Sequence, residues 1–471
     1  MNRSLVALSS LALFLSSFGL QADSLRDIYE LALENDAQLK AEQATYLARK
    51  ETEALSRAAL LPQVSGSYSY SNSDSESEAT RPFSTGAVTA IVDVSAESDA
   101  DTEGYSISLN QAIFDLPAWF SFQSGRQVTK EAEATFASNQ QNLIVRVVEA
   151  YLAVLRSQDN LSASRAQERA FERQLEQTQQ RFEVGLIAIT DVYEAQAARD
   201  LAQVERIVNE NNLAVALENL SVLTGQDHGN LNILDEDFEI LPPEPMDRAA
   251  WVDFSLQNNF ALQASRYREE AARQTAKAMR LEHAPKITGS LGYSDFETDG
   301  SGSFTAAGAL PENSPPDSSQ EEESWSINLT VPLFSGGAVS ANRRKAAQDF
   351  NAARENRILL QRNTITNTRS LHMTVVSDVS RIKARKQSII SSQSSLDATQ
   401  AGYEVGTRNV VDVLNAQNSL FSAQRDYANS RYDYIINMMR LQEQAGLLSP
   451  EDIMKLDAFL SPPQPATAND S

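Results

Sequence analysis

The 471-residue sequence contains no cysteine, so no disulfide contributes to its stability. Its three histidines share no metal-ligand spacing, and the sequence has no Gly-x-Ser-x-Gly nucleophile elbow; the histidines are His228, His283 and His372. We therefore expect no metal site and no cofactor. An enzyme is the weakest functional interpretation.

The chain also has few positive charges relative to its negative ones, and it has few long apolar runs. Lys and Arg number 40 against 63 Asp and Glu, and the resulting net charge of −23 argues against nucleic acid as a partner. Beyond residue 22, no stretch offers the roughly 18 apolar residues that a membrane-spanning helix needs. If the mature chain crosses a membrane, it must do so as part of a closed β-barrel.

Residues 1–22 are expected to be a secretory signal peptide. Arg3 precedes an apolar, serine-containing run from Leu5 to Leu20, and we expect cleavage before Asp23. The run is too short and too polar for a membrane span. The mature protein is therefore expected to be exported.

An internal duplication is the most informative pattern in the chain. Gly185 and Gly406 lie 221 positions apart, and each follows the residues aromatic-Glu-Val. After five intervening residues, each glycine is followed by an Asp-Val pair, which begins at Asp191 and Asp412. Glycine suits a chain reversal that needs positive φ, and Asp suits the first turn of the next helix. The sequence therefore predicts two helix hairpins, one in each half.

Four segments of about ten residues alternate apolar with uncharged polar side chains and carry aromatic residues near their ends: 62–72, 104–114, 285–294 and 324–334. Such strands are typical of an outer-membrane β-barrel. One strand alone would fit an ordinary half-buried antiparallel sheet equally well, but four strands behind an export signal favour the barrel. The acidic stretches between them, 73–103 and 295–323, are expected to be solvated loops.

Two segments without proline, 118–184 and 338–405, predict very long helices. At about 1.5 Å per residue each would reach about 100 Å, which exceeds a single-domain core and predicts coiled-coil packing. Their apolar positions are sparse and small, which suits a hollow, water-filled tube better than a solid bundle. Four strands cannot close a membrane barrel, because the smallest has eight, so the chain is expected to oligomerise.

The predicted domain boundaries follow the duplication. They are a signal peptide at 1–22, repeat 1 at 23–225 with long helices 118–184 and 190–222, a linker at 226–246, repeat 2 at 247–447 with long helices 338–405 and 411–444, and a mostly disordered tail at 448–471.

From Leu25 to about Leu448 the chain resembles the TolC family of Gram-negative outer-membrane efflux proteins, most specifically at 181–192, 394–397 and 401–414. The resemblance implies an α+β membrane protein: a homotrimer with a shared transmembrane β-barrel, continuous with a helical barrel in the periplasm. It also implies an exit duct for tripartite multidrug efflux pumps and type I protein secretion. The expected partners are outer-membrane lipid, a periplasmic adaptor protein and an inner-membrane transporter.

The resemblance also assigns roles to residues. The acidic ring that closes the periplasmic entrance falls on Asp412, and a second ring one turn further falls on Asn415, which departs from the family pattern. Docking of the adaptor falls on the turns around Gly185 and Gly406. The links that hold the entrance shut fall on Thr190, Asp191, Tyr403 and Arg408, and on the pair Gln174 and Gln400.

Two alternatives remain open on sequence grounds. Asp191 and Asp412 can be simple first-turn acids, stabilised by the helix dipole by about 0.3–1 kcal/mol. The whole chain can instead be a trimeric coiled-coil adhesin of the outer membrane, although adhesins usually place stalk and anchor in separate segments. Here strands and helices alternate in both halves.

Overall fold

The computed structural model describes residues 23–84, 89–306, 312–313 and 315–462. The predicted signal peptide and the last part of the predicted tail, 463–471, lie outside these residues. The helices within them are α1 (Leu25–Asn35), α2 (Ala37–Ala58), α3 (Leu116–Glu183), α4 (Ile189–Thr224), α5 (Arg248–Asn258), α6 (Phe260–Arg280), α7 (Ala338–Glu404), α8 (Val410–Ala445) and α9 (Pro450–Asp457). No helix of the described chain is both long enough and apolar enough to span a membrane.

The strands of the described residues are β1 (Gln63–Ser84), β2 (Thr89–Phe114), β3 (Ile233–Leu234), β4 (Lys286–Ala306), β5 (Glu312–Asn313), β6 (Ser318–Thr330) and β7 (Leu460–Ser461). The chain divides into two compact units. One comprises the chain up to Tyr46, residues 134–263 and the chain from Ile358 onward; the other comprises Leu47–Glu133 and Ala264–Arg357.

The second unit contains one antiparallel sheet. Strand β2 lies between β1 and β4, and β4 pairs in turn with β6 and with the short β5. The register places Tyr68 opposite Tyr105 and Ile107 opposite Tyr293. Large apolar side chains are exposed on this sheet, and Trp325 is 76% accessible. In a single copy of the chain, this apolar surface is unburied.

The strands are longer than the sequence predicted, and the prediction of solvated loops at 73–103 and 295–323 is wrong for most of their length. Polarity does not prevent pairing, because the backbone supplies the ladder and acidic side chains accept cross-strand hydrogen bonds. Tyr70 donates to Asp101 over 2.8 Å, and Thr80 donates to Asp93 over 2.7 Å. Strand β6 ends at Thr330 rather than at the predicted residue 334. Pro332 follows two residues later, and a proline cannot donate a hydrogen bond to the neighbouring strand.

The first unit is mainly helical, and its larger apolar core surrounds the middle of α3. Residues of α3 between Leu143 and Leu155 are largely inaccessible and pack with α1, α4, α8 and the segment around β3. Tyr151 is completely buried, and its hydroxyl donates to the carbonyl of Asn232 over 2.8 Å. The hydroxyl therefore keeps a partner inside an otherwise apolar site.

The helical segment that begins each half is divided in two by a capping residue. The Asp36 carboxylate accepts from the N–H of Leu39 over 3.2 Å and binds the Arg146 guanidinium at 2.6 Å. Burial alone raises the pKa of Asp36, but the guanidinium and the backbone donors outweigh it and hold that pKa below its usual range. In the second half, Asn259 accepts from the N–H of Leu262 over 2.8 Å without a charge.

The prediction of a mostly disordered tail at 448–471 is wrong for residues 450–461. A capping box between Ser449 and Asp452 begins α9, with proline at its first position. Ile453 and Leu456 are 1% and 4% exposed in the main core. Strand β7 then pairs with β3. Ile453 and Leu456 lie three positions apart, but a helix of eight residues is too short for this spacing to be recognised as a helical pattern.

Candidate functional site

Each long helix pair is joined by a tight turn that contains a glycine in the left-handed region. Gly185 has φ 77° and Gly406 has φ 78°. The next residues, Leu186 and Thr407, donate their N–H groups to the carbonyls five positions earlier, over 2.9 and 2.8 Å. A Cβ on either glycine would meet no atom within 4 Å, so the backbone conformation and not packing requires glycine. The two predicted reversals are confirmed.

The helices that leave the two turns begin differently. Helix α8 has a capping box in which Asn409 accepts from the Asp412 N–H over 2.8 Å and Asp412 accepts from the Asn409 N–H over 3.4 Å. Helix α4 begins after Ala188, whose side chain makes no cap. A cap of this kind contributes about 1 kcal/mol. The second turn is therefore fixed more firmly than the first.

The two predicted constriction residues lie three positions apart on the first turns of α8, and hence on one helix face. Asp412 is half-buried, and one oxygen of its carboxylate is 3.8 Å from the Arg408 guanidinium. Asn415 is exposed, and its carbonyl accepts the Ser419 hydroxyl over 2.8 Å. The Asp412 carboxylate thus serves the cap and a weak ion pair at once.

The predicted entrance links are only partly brought together within one chain. Gln174, Gln400 and Tyr403 line one cleft between the ends of α3 and α7. The Gln174 amide donates to the hydroxyl of Thr178 at 3.5 Å, and no hydrogen bond joins it to Gln400 within the described chain.

Thr190 and Asp191 are in the first turn of α4. Across the residues that the structure describes, no hydrogen bond or ion pair connects either with Tyr403 or Arg408. The Asp191 N–H donates to the carbonyl of Ala188 over 3.2 Å, as a first-turn residue does.

Arg181 is the residue that sequence analysis missed. Its guanidinium carbon lies 4.6 Å from the centre of the Tyr403 ring, and one nitrogen donates to the Glu404 carbonyl over 3.4 Å. Arg181 was recognised only as part of a matching block. A comparison of the two repeats could have singled it out, because the repeats differ at this position: Arg181 of the first corresponds to Gly402 of the second.

Tyr403 is 7% exposed and belongs to a small apolar cluster with Phe171, Val410 and Val413. Its hydroxyl is buried and has no hydrogen-bond partner in the described part of the chain. An unsatisfied buried hydroxyl is costly.

Comparison with known proteins places these features in a family. The family model described as "Outer membrane efflux protein" matches residues 28–226 and 251–447. The outer membrane protein TolC of Vibrio cholerae is 34% identical over 98% of this chain and 99% of its own. The alkaline protease secretion protein AprF of Pseudomonas aeruginosa is 31% identical over 95% of this chain and 89% of its own.

Among solved structures, the outer membrane protein VceC of Vibrio cholerae superposes with a TM-score of 0.72 at 16% identity. The superposition covers 90% of this chain and 96% of that one. At that identity the likeness concerns the fold, which is mainly helical with a smaller sheet.

Proposed function

The chain belongs to the outer membrane efflux protein family, and from that premise we propose that it is an outer-membrane exit duct for efflux pumps and type I protein secretion. It resides in the outer membrane, extends into the periplasm, and is a channel, not an enzyme. The alternation of sheet and long helix in both halves carries this conclusion, because a coiled-coil adhesin would separate stalk from anchor.

The duct is completed by three copies of the chain. Four long strands per chain are too few to close a membrane barrel, whereas twelve suffice. Strands β1 and β6 each pair with one other strand among the described residues, which leaves their outer edges available to neighbouring copies. Trp325 and Ile327, 76% and 65% exposed in one chain, are suited to outer-membrane lipid.

Helix α4 supports the same assembly. Four of its exposed apolar residues recur every seven positions: Leu201, Val208, Val215 and Val222. They are 48–74% accessible in the isolated chain. A heptad repeat of exposed apolar side chains is the pattern of a coiled-coil seam, and a helix of a neighbouring copy is the partner that it suits.

The periplasmic entrance is formed by the second hairpin of each copy. Threefold symmetry gathers Asp412 and Asn415 at a constriction around the axis. The residues that hold it closed are Gln174, Thr190, Asp191, Gln400, Tyr403 and Arg408. Contacts that one chain does not make are supported by the accessibility of two of these side chains: Arg408 is 61% exposed and Asp191 is only half-buried. The turns at Gly185 and Gly406 dock a periplasmic adaptor, which connects the duct to an inner-membrane transporter.

The test is genetic. Deletion of the gene should lower the inhibitory concentrations of detergents, bile salts and dyes, and the intact gene should restore them. Gly406→Val should fail to restore them, since a β-branched residue is strained at φ 78°. Gly229→Val is the matched control. A Cβ at this position would meet no atom within 4 Å, and the backbone of Gly229 does not adopt a positive φ. Unchanged inhibitory concentrations after deletion would contradict the proposal.

A further inference from the structure

We propose that Arg181 is a positioning residue of the entrance, which holds the Tyr403 ring by a cation–π contact and so fastens the second hairpin to the first. The inference rests on the proposed function, since it concerns the same entrance. It adds Arg181 to the predicted links from the first hairpin, which are Gln174 near the end of α3 and Thr190 and Asp191 at the start of α4.

The contact geometry is that of a latch between two helix ends. The Arg181 guanidinium lies over the ring at 4.6 Å, within the roughly 6 Å over which a cation is attracted to an aromatic face. The same group donates to the Glu404 carbonyl at the last residue of α7. A cation at a helix C-terminus is also favoured by the helix dipole. One side chain therefore holds both the ring and the end of the helix.

The position of the Tyr403 ring explains why a contact with it can fix the second hairpin. The ring belongs to the same apolar cluster as Val410 and Val413, and this cluster connects the end of α7 with the start of α8 across the turn. If the ring is fixed, both helices of the second hairpin are fixed with it. This contact uses the ring face and does not involve the tyrosine hydroxyl.

The two repeats are not equivalent at this contact, because only the first hairpin supplies an arginine. Gly402 occupies the position that corresponds to Arg181, and a Cβ there would lie 2.8 Å from Cγ of Arg408. The second hairpin thus has no room for an equivalent arginine. The first hairpin supplies the cation and the second supplies the ring.

Conductance in planar bilayers tests the latch. Loss of the cation–π contact in all three copies should raise the open-to-closed ratio of the entrance by roughly 10- to 150-fold. Arg181→Gln should show this rise, whereas Arg181→Lys, which keeps a cation, should show less. Arg173→Gln is the matched control: it removes an exposed arginine two turns earlier on α3 and should conduct like the parent.

A double-mutant cycle separates the latch from a general structural effect. Arg181→Gln should still raise conductance in a Tyr403→Phe background, because phenylalanine keeps the ring. In a Tyr403→Leu background the rise should be clearly smaller, because only the contact with the Glu404 carbonyl remains to be lost. Two outcomes would overturn the role of Arg181 but leave the proposed function intact. One is an equal rise in conductance in the Tyr403→Leu background, and the other is no rise in the parent under conditions in which Arg408→Ser opens the channel. If the parent formed no channel under any condition, the proposed function would fail and the latch with it.

Discussion

Replacement of Arg408 by serine gives the most direct estimate of what holds the entrance closed. Within the chain, the Arg408 guanidinium is 3.8 Å from Asp412, and the two side chains are 61% and 37% exposed. Arg408 lies just before α8, and with about 0.3–0.5 kcal/mol for an exposed pair at this spacing, three copies contribute about 1–1.5 kcal/mol. Conversion from about 99% closed to about 99% open needs about 5.5 kcal/mol. Arg408→Ser alone should therefore open the entrance only partly.

The assay is single-channel conductance in planar bilayers at low and high salt. From an open fraction of about 1%, a shift of 1–1.5 kcal/mol predicts about 5–10%. The increase should shrink in about 1 M salt, where charges are screened within about 3 Å. Arg408→Lys should resemble the parent, and Arg408→Ser with Tyr403→Phe should open further.

Two results would refute the reasoning. A double variant that conducts like the parent would mean that neither residue holds the entrance. A fully open single variant would mean that Arg408 contributes far more than an exposed pair can, so that the pair with Asp412 is not the relevant contact.

Three further predictions follow from other parts of the chain. Asn415→Asp should tighten channel block by hexamminecobalt, because a second carboxylate ring would join the first; unchanged block would place the constriction elsewhere. Arg146→Met should lower the free energy of unfolding at pH 7 by about 3–5 kcal/mol, since it leaves Asp36 buried and unpaired. The lowered pKa of Asp36 makes its contribution present above about pH 4 and lost as pH falls through the folded pKa, so denaturation at pH 3 should show a smaller difference. Ile453→Ala should cost about 2–5 kcal/mol in denaturant unfolding, whereas the exposed Met454→Ala should cost little.

The sequence was informative where a local rule sets the backbone. Gly185 and Gly406 each follow a long run without proline and precede an Asp-Val pair, and both adopt positive φ. Family membership and the combination of long helices with a sheet are likewise confirmed. These features depend on periodicity and on turn chemistry, which a single sequence displays directly.

Other features depend on contacts between distant segments and were missed. Strand β1 continues to Ser84 through acidic residues because β2 supplies its hydrogen-bonding partners. Helix α9 forms because Ile453 reaches a core assembled from the rest of the first unit. Arg181 gains a role only when it meets Tyr403, which is 222 positions away in sequence. The roles assigned to Asp412, Asn415 and the entrance links remain predictions.

The central claim is that copies of this chain form a hollow duct through the outer membrane. Single-particle electron microscopy of the protein purified in mild detergent tests it most directly. The account predicts threefold particles with a short β-barrel that continues into a tapered, hollow helical tube. Monomeric particles, or a solid stalk attached to a separate anchor, would contradict it.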